Sequence, residues 1–356
     1  MNDQSCDIEG QYLNESRRKL VITAIFLVIA VVMAFGSIFI IDYTGLTVDV
    51  IWDVICAHLN GSEYGVHYYD LIVWEYTVPR SIMAVVAGIG LAIGGAVMQS
   101  LMRNPLAEPY TTGVASGASF GAAIFIILGI AIVPTSVYSL NLTINATLMA
   151  IVPTVAIVLI SRRKTITPTT MILAGIAIMY VFRACTSFLT LTADPENVEQ
   201  LYLWNVGTVG SARWDNIWIV ALATLVCGSL LMLLADRLTI MSAGDRCATT
   251  MGVKARSVRV ISLILIAVLT ATIVGYTGTI GFMGLVAPHI ARMFVGSNLR
   301  YLIPCSAAVG AFVLVACDCL ARVLSTSGLS VGVITSIIGG PIFIILLIKG
   351  AKKVWY

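Results

Sequence analysis

Few residues in this chain have the type and spacing that catalysis or ligand binding needs. The candidates include one glycine pattern and one cysteine pattern. Gly88-x-Gly90-x-x-x-Gly94 is superficially similar to a dinucleotide-binding turn. Its spacing is wrong and it lies inside an apolar run, so helix packing is the better interpretation. Cys317-x-Cys319 lacks the spacing and histidine partners of a zinc site, and most of the eight cysteines fall in apolar runs. The sequence therefore favours structural thiols over a metal site.

The sequence also lacks the residue patterns that are typical of enzymes. There is no Gly-x-x-x-x-Gly-Lys-Ser/Thr loop to cradle a nucleotide phosphate, and no nucleophile, base and acid occur at plausible spacing. We expect no catalytic residue, no metal and no cofactor in this chain.

Arg183 is the polar residue most in need of an explanation, because it falls inside an apolar run. A charged side chain within a membrane is costly and usually faces a partner or a water-filled cavity. An arginine near a helix end can instead extend its guanidinium to the membrane surface. Both interpretations stay open at this point.

The elements that position these residues are membrane-spanning helices. The 356 residues are 59% hydrophobic and only 11% charged, with a mean hydropathy of +0.97. A span needs about 20 apolar residues. Ten runs approach that length, of which the eighth is short: 20–41, 80–101, 108–131, 144–161, 167–190, 214–234, 259–276, 281–295, 301–322 and 331–349. We expect an all-α integral membrane fold with about ten transmembrane helices.

Lysine and arginine positions predict the orientation. With a cytoplasmic N-terminus, 17 of the 21 basic residues lie on the inner side, as the positive-inside rule requires. Both termini are then cytoplasmic, with tails at 1–19 and 350–356 around a transmembrane domain at 20–349. The first run lacks a cleavage site and is expected to remain as a span. The net charge of +3 reflects this topology, and no nucleic-acid partner is expected.

Small residues fill the stretch from Pro79 to Gly121, where two apolar runs flank an Arg103-Asn104-Pro105 corner. Small residues at three- and four-residue spacing let helices approach closely in lipid. We expect these two runs to form a tight helical hairpin inside a crowded bundle.

The longest inner loop, residues 236–258, has the composition of a docking segment. Gly244 and Gly252 bracket a stretch long enough for one or two helical turns. Met241, Ala248 and Met251 favour docking onto a soluble partner, since exposed apolar side chains need cover.

Several motifs together resemble one transport family. They are Pro79-Arg80, Gly95-Ala96-x-Met98-Gln99, the NPLAEP run at 104–109, Gly113-x-x-Ser116-Gly117-Ala118, Gln200–Trp204, residues 278–311 and residues 332–343. In this order they resemble the permease subunits of ABC importers for iron–siderophores, haem and vitamin B12 (FecCD/BtuC-like). The set spans most of residues 79–349.

The resemblance implies a type II ABC importer permease bundle in the cell (cytoplasmic or inner) membrane. Such permeases form homodimers around a translocation path, with a cytoplasmic ATPase dimer that uses ATP and an extracytoplasmic binding protein that delivers substrate.

The resemblance also assigns residues to roles. Arg80 and Arg322 match arginines that hold glutamates of the binding protein, although Arg322 could instead pair with Asp318 one helical turn earlier. Thr77 stands where some relatives carry another arginine. The ATPase-coupling residues are Gly244, Asp245, Arg246, Ala248, Met251 and Gly252. Arg183 would face the path and meet an anionic substrate, and Thr169 and Thr170 would form the inner gate within 165–173. Asn104, Pro105, Gly281, Pro288 and His289 belong to the family's structural motifs.

Alternatives to a ferric siderophore importer remain open at this point. Haem or a corrinoid could be the cargo. An ion-coupled secondary transporter would usually need an acidic residue near the middle of a span, and none is found there. A membrane enzyme would need a catalytic set.

Overall fold

The computed structural model describes residues 2–40, 46–163, 167–324 and 329–350. These ranges are helical with short connections and contain no strand. A π-helical segment (Leu71–Thr77) precedes α4, and a 3₁₀ turn (Pro109–Thr112) precedes α5. In chain order the α-helices are α1 (Asn2–Ile38), α2 (Val48–Leu59), α3 (His67–Asp70), α4 (Val78–Met102), α5 (Val114–Leu128), α6 (Tyr138–Arg163), α7 (Pro168–Leu191), α8 (Pro195–Val206), α9 (Trp214–Leu233), α10 (Ala235–Ser242), α11 (Asp245–Thr250), α12 (Ala255–Thr277), α13 (Met283–Val295), α14 (Leu299–Val323) and α15 (Val331–Gly350).

The ten apolar runs correspond to ten of these helices. Helices α1, α4, α6, α7, α9, α12 and α14 are long and apolar enough to cross a membrane, whereas α5, α13 and α15 are shorter apolar helices. The all-α membrane architecture is confirmed. The third run begins at Val114 rather than at 108, because Pro109 starts a tight turn that ends at Gly113 with φ +89°.

Helix α4 lies at the centre of the bundle, packed between α14, α13, α12 and α9. Its glycines permit two close crossings. A Cβ atom on Gly88 would clash with the carbonyl oxygen of Gly310 in α14, and one on Gly95 would clash with that of Gly284 in α13. The expected close packing through small residues is therefore present, with backbone against backbone.

The predicted hairpin of the second and third runs is wrong. Helix α5 packs on α6 and α7, while α4 packs chiefly on α14. The turn at Pro109–Thr112 and the left-handed backbone of Gly113 direct the chain away from α4. In contrast, α13 and α14 do pack on each other, so the two similar motif-bearing stretches differ in their packing.

Further helices lie outside the ten runs. Helix α1 continues back to Asn2, so residues 2–19 of the expected N-terminal tail are helical. Helix α2 follows α1, and α8 lies between α7 and α9. Residues 351–356 of the expected C-terminal tail lie outside the described residues.

Candidate translocation cavity and its flanking charge clusters

A partly open cavity of about 970 Å³ is lined by residues of α5, α7, α8, the approach to α13 and the start of α15. Most of its surface is apolar, and hydroxyl groups, one guanidinium and one carboxyl are distributed over it. The hydroxyl-bearing side chains include Thr111, Ser116, Ser119, Thr186, Ser187 and Thr190. The hydroxyls of Thr111, Ser116, Thr186 and Thr190 donate to backbone carbonyl oxygens of their own turn or helix, so toward a ligand they act as acceptors. Those of Ser119 and Ser187 can donate to the oxygen atoms of a ligand.

Arg183 lies on this wall. Helix α7 contributes Met179, Arg183, Thr186, Ser187 and Thr190 to the cavity. These positions are three or four residues apart, or adjacent, and therefore form one face of the helix. The Arg183 side chain thus has a partly open cavity with several hydroxyl groups beside it, which lowers the cost of its position within an apolar helix.

Glu108 also lines the cavity, and sequence reasoning overlooked it as a functional residue. It is half-buried in the corner between α4 and α5. Burial raises the pKa of its carboxyl from the ordinary 4.5 to about 7. Next to it, the Tyr110 hydroxyl donates to the Ile280 carbonyl oxygen (3.1 Å) and accepts from the Ile280 N–H (3.2 Å). This joins the corner to the chain leading into α13. The signal available in the sequence was an acid between two apolar runs, inside the NPLAEP motif.

A second charge cluster lies at the outer end of α4. The side chain of Asp318 is fully buried and accepts from Nε (2.9 Å) and Nη2 (2.8 Å) of Arg80. It also pairs with Nη2 of Arg322 at 2.9 Å, as the alternative for that residue predicted. Nη1 of Arg322 donates to the carbonyl oxygens of Ser37 and Ile40 at the end of α1. The two arginines expected to dock a binding protein are thus brought together by one aspartate.

At the inner end, α10 and α11 form the loop expected at 236–258. Gly244 (φ +120°) and Gly252 (φ +79°) bracket α11, as predicted. The apolar residues of this loop were expected to be exposed, and most of them are not. Ala248 and Met241 are buried in the protein's own core, whereas Met251 is 62% exposed. Packing of α10 on the end of α4, and of α11 on α10 and α12, therefore provides most of the cover that a docking partner was expected to supply.

The remaining residues occupy separate places. Thr169 and Thr170 lie in the first turn of α7, where the Thr170 N–H donates to the Thr167 hydroxyl (3.3 Å). Neither lines the cavity, and residues 165 and 166 of the expected gate lie outside the described residues.

The motif residues stabilise corners and helix contacts. Asn104 accepts the Leu106 N–H through its side chain (2.9 Å) and lies next to Pro105 in the corner. Gly281 lines the cavity, and Pro288 and His289 are buried in α13. Within the described ranges, no group of three or more His, Cys, Asp or Glu side chains could hold a metal ion.

The profile of the FecCD transport family matches residues 27–349. The chain belongs to the FecCD transport family. This match includes the helices that enclose the cavity and both charge clusters. The FecCD chain is therefore a multi-pass protein of the cell membrane and the permease subunit of an ABC importer.

Two curated relatives and one solved structure agree with this membership. The Fe(3+)-citrate import system permease protein of Bacillus subtilis is 32% identical, over 92% of this chain and 95% of that protein. The hemin transport system permease protein of Yersinia pestis is 31% identical, over 78% of this chain and 83% of that protein. A structure described as an inward-facing metal-chelate type ABC transporter superimposes with a TM-score of 0.80 at 28% identity. It covers 92% of this chain and 99% of its own.

Proposed function

We propose that this permease imports a ferric siderophore or a similar ferric chelate through the interface of a homodimer. A separate cytoplasmic ATPase dimer supplies the ATP hydrolysis, and an extracytoplasmic binding protein delivers the chelate. In this proposal the chain itself binds no cofactor and is not an enzyme. The B. subtilis relative, named for ferric citrate import, supports the class of cargo.

The cavity lined by Arg183 and several hydroxyl groups is the observation that carries the proposal. A guanidinium forms short, charge-assisted hydrogen bonds with carboxylate or catecholate oxygens. The surrounding serine and threonine hydroxyls can replace part of the chelate's hydration shell. The same features suit the propionates of haem, and the Y. pestis relative favours haem as the second candidate.

The outer charge cluster supports docking of the binding protein at Arg80 and Arg322. Two arginines share one buried aspartate, so the cluster keeps one excess positive charge. The side chain of Arg80 is 21% exposed, and a carboxylate arriving from outside can share its guanidinium. At the inner face, we assign ATPase contact to Gly244, Asp245, Arg246, Ala248, Met251 and Gly252, and the inner gate to Thr169 and Thr170.

Reconstitution tests the proposal. The permease is placed in proteoliposomes with its candidate ATPase and binding protein, and ATP hydrolysis is measured with ferric siderophore, haem or cobalamin. We expect stimulation by a ferric siderophore-loaded binding protein and its loss in Arg80→Glu. Stimulation by haem or cobalamin alone would refute the cargo, and failure to assemble with any ATPase would refute the division of labour.

A further inference from the structure

Asp245 joins three helices at the inner face of the permease. It is the first residue of α11, and its Oδ1 accepts from Nη2 of Arg103 at 2.9 Å and from Nη2 of Arg259 at 2.7 Å. Arg103 ends α4 and Arg259 belongs to the first turns of α12. One carboxylate therefore holds α11 to two helices of the bundle.

The backbone has positive φ angles on both sides of the Arg103–Asp245 contact. Arg103 adopts the left-handed conformation (φ +48°), which is uncommon for a residue with a side chain. Gly244, next to Asp245, has φ +120°, a value that favours glycine. Strained backbone persists where the surrounding structure holds it in place. Here the ion pair and the burial of Ala248 supply that restraint.

A short, ordered segment links this ion pair to the cavity. Arg103 and Glu108 are the two ends of a six-residue corner. Within it, the Asn104 N–H donates to the Gln99 carbonyl oxygen (3.1 Å), and the Ala107 N–H donates to the Asn104 carbonyl oxygen (3.1 Å). The first bond joins the corner to the last turn of α4, and the second closes a turn within the corner. We therefore expect a displacement of α11 to reach the cavity wall through the same six residues.

We propose that Asp245 is a positioning residue that transmits movement of α11 through Arg103 to the corner bearing Glu108, and so couples ATP hydrolysis to opening of the cavity. This role rests on the proposed function, because it needs an ATPase that moves α11. The side chains of Arg103 and Asp245 are 35% and 41% exposed. Pairs with that exposure contribute little to stability, so for Arg103→Gln the proposal predicts a loss of coupling without a loss of folding. Asp245→Asn also removes the carboxylate from Arg259, whose side chain is only 10% exposed, so this variant is expected to lower the thermal stability as well.

The test compares Asp245→Asn, Arg103→Gln and their double variant in proteoliposomes with the candidate ATPase and binding protein. The readout is the amount of substrate imported per ATP hydrolysed. We expect each single variant to lower this ratio about tenfold, within the range of allosteric coupling factors. The double variant should be no worse than Asp245→Asn alone, because that substitution already removes the Arg103–Asp245 link. Asp245→Glu, which keeps the charge, should retain most of the coupling.

The matched control is Glu15→Gln, which breaks the Glu15–Lys19 pair (3.1 Å) near the start of the first span. It should leave the ratio unchanged. An unchanged ratio in Asp245→Asn, additive effects in the double variant, or loss of ATPase co-purification would each overturn the inference. Failure of the wild-type complex to couple ATP hydrolysis to import would instead refute the proposed function.

Discussion

The carboxyl of Glu108 should make import depend on pH between 6 and 8. Burial raises its pKa to about 7, so about one tenth is ionised at pH 6 and about nine tenths at pH 8. The cavity wall therefore gains nearly one negative charge across this interval. Because the raised pKa favours the neutral form in the folded protein, the stabilisation from this group is complete below pH 4.5. It is lost as the pH rises through 7.

The magnitude for transport follows from charge repulsion. One negative charge at about 4 Å from an anionic chelate costs about 1 kcal/mol at the dielectric constant of bulk water, which is a lower bound beside a partly buried group. That energy corresponds to about a fivefold loss of occupancy. About one tenth of the carboxyl is already ionised at pH 6 and about one tenth is still neutral at pH 8. We therefore expect uptake at limiting chelate concentration to fall about threefold from pH 6 to pH 8 in the wild type. Glu108→Gln, which stays neutral, should remain near the pH 6 rate.

The assay uses proteoliposomes with the same pH on both sides, and the rate of Glu108→Gln is divided by the wild-type rate at each pH. This ratio cancels the pH dependence of the ATPase and the binding protein. A ratio that stays constant from pH 6 to 8 would refute the reasoning, because it would show that Glu108 does not change charge beside the substrate.

Three further variants test other parts of the structure. Arg183→Gln should lower uptake of an anionic chelate about tenfold without affecting assembly, while Arg183→Lys keeps part of the activity; unchanged uptake would remove Arg183 from the path. Asp318→Ala leaves two arginines without their buried partner and should lower the free energy of unfolding by about 3–5 kcal/mol, measured as thermal stability in detergent. Gly95→Ala places a methyl group against the Gly284 backbone and should destabilise the protein by about 1–3 kcal/mol. Gly36→Ala, which meets no atom within 4 Å, should be neutral, and equal stability of these two glycine variants would contradict the crossing.

The helices could be predicted from the sequence because their signal is local. An apolar run of about 20 residues has few alternatives in lipid, and all ten runs became helices. The third boundary was missed because apolar composition continues across Pro109 and Gly113, where the backbone turns. Polar sequences such as α8 carry no hydropathy signal, yet this helix supplies part of the cavity wall.

Contacts between distant residues could not be predicted. Arg80 and Asp318 are 238 positions apart, and no local pattern pairs them. The burial of Met241 and Ala248 likewise depends on how α10 packs on α4 and how α11 packs on α10 and α12. The sequence indicated only that Glu108 lies at the end of a span, whereas the structure shows that it lines the cavity. Family motifs identified the correct regions, but the partners of each side chain came only from tertiary structure.

The two charge clusters have the same design at opposite ends of α4. Arg80 lies in the first turn of the helix and Arg103 follows its last residue. Each is bound to an aspartate that also binds a second arginine. Their 23-residue separation corresponds to about 35 Å of helix, close to the thickness of the bilayer core. Between the clusters, Gly88 and Gly95 allow close backbone contact of α4 with α14 and α13. Helix α4 therefore connects the outer face, where a binding protein is proposed to dock, with the inner face, where an ATPase is proposed to act. Closely packed protein interiors transmit strain. We therefore expect a displacement at either charge cluster to shift the residues of the other.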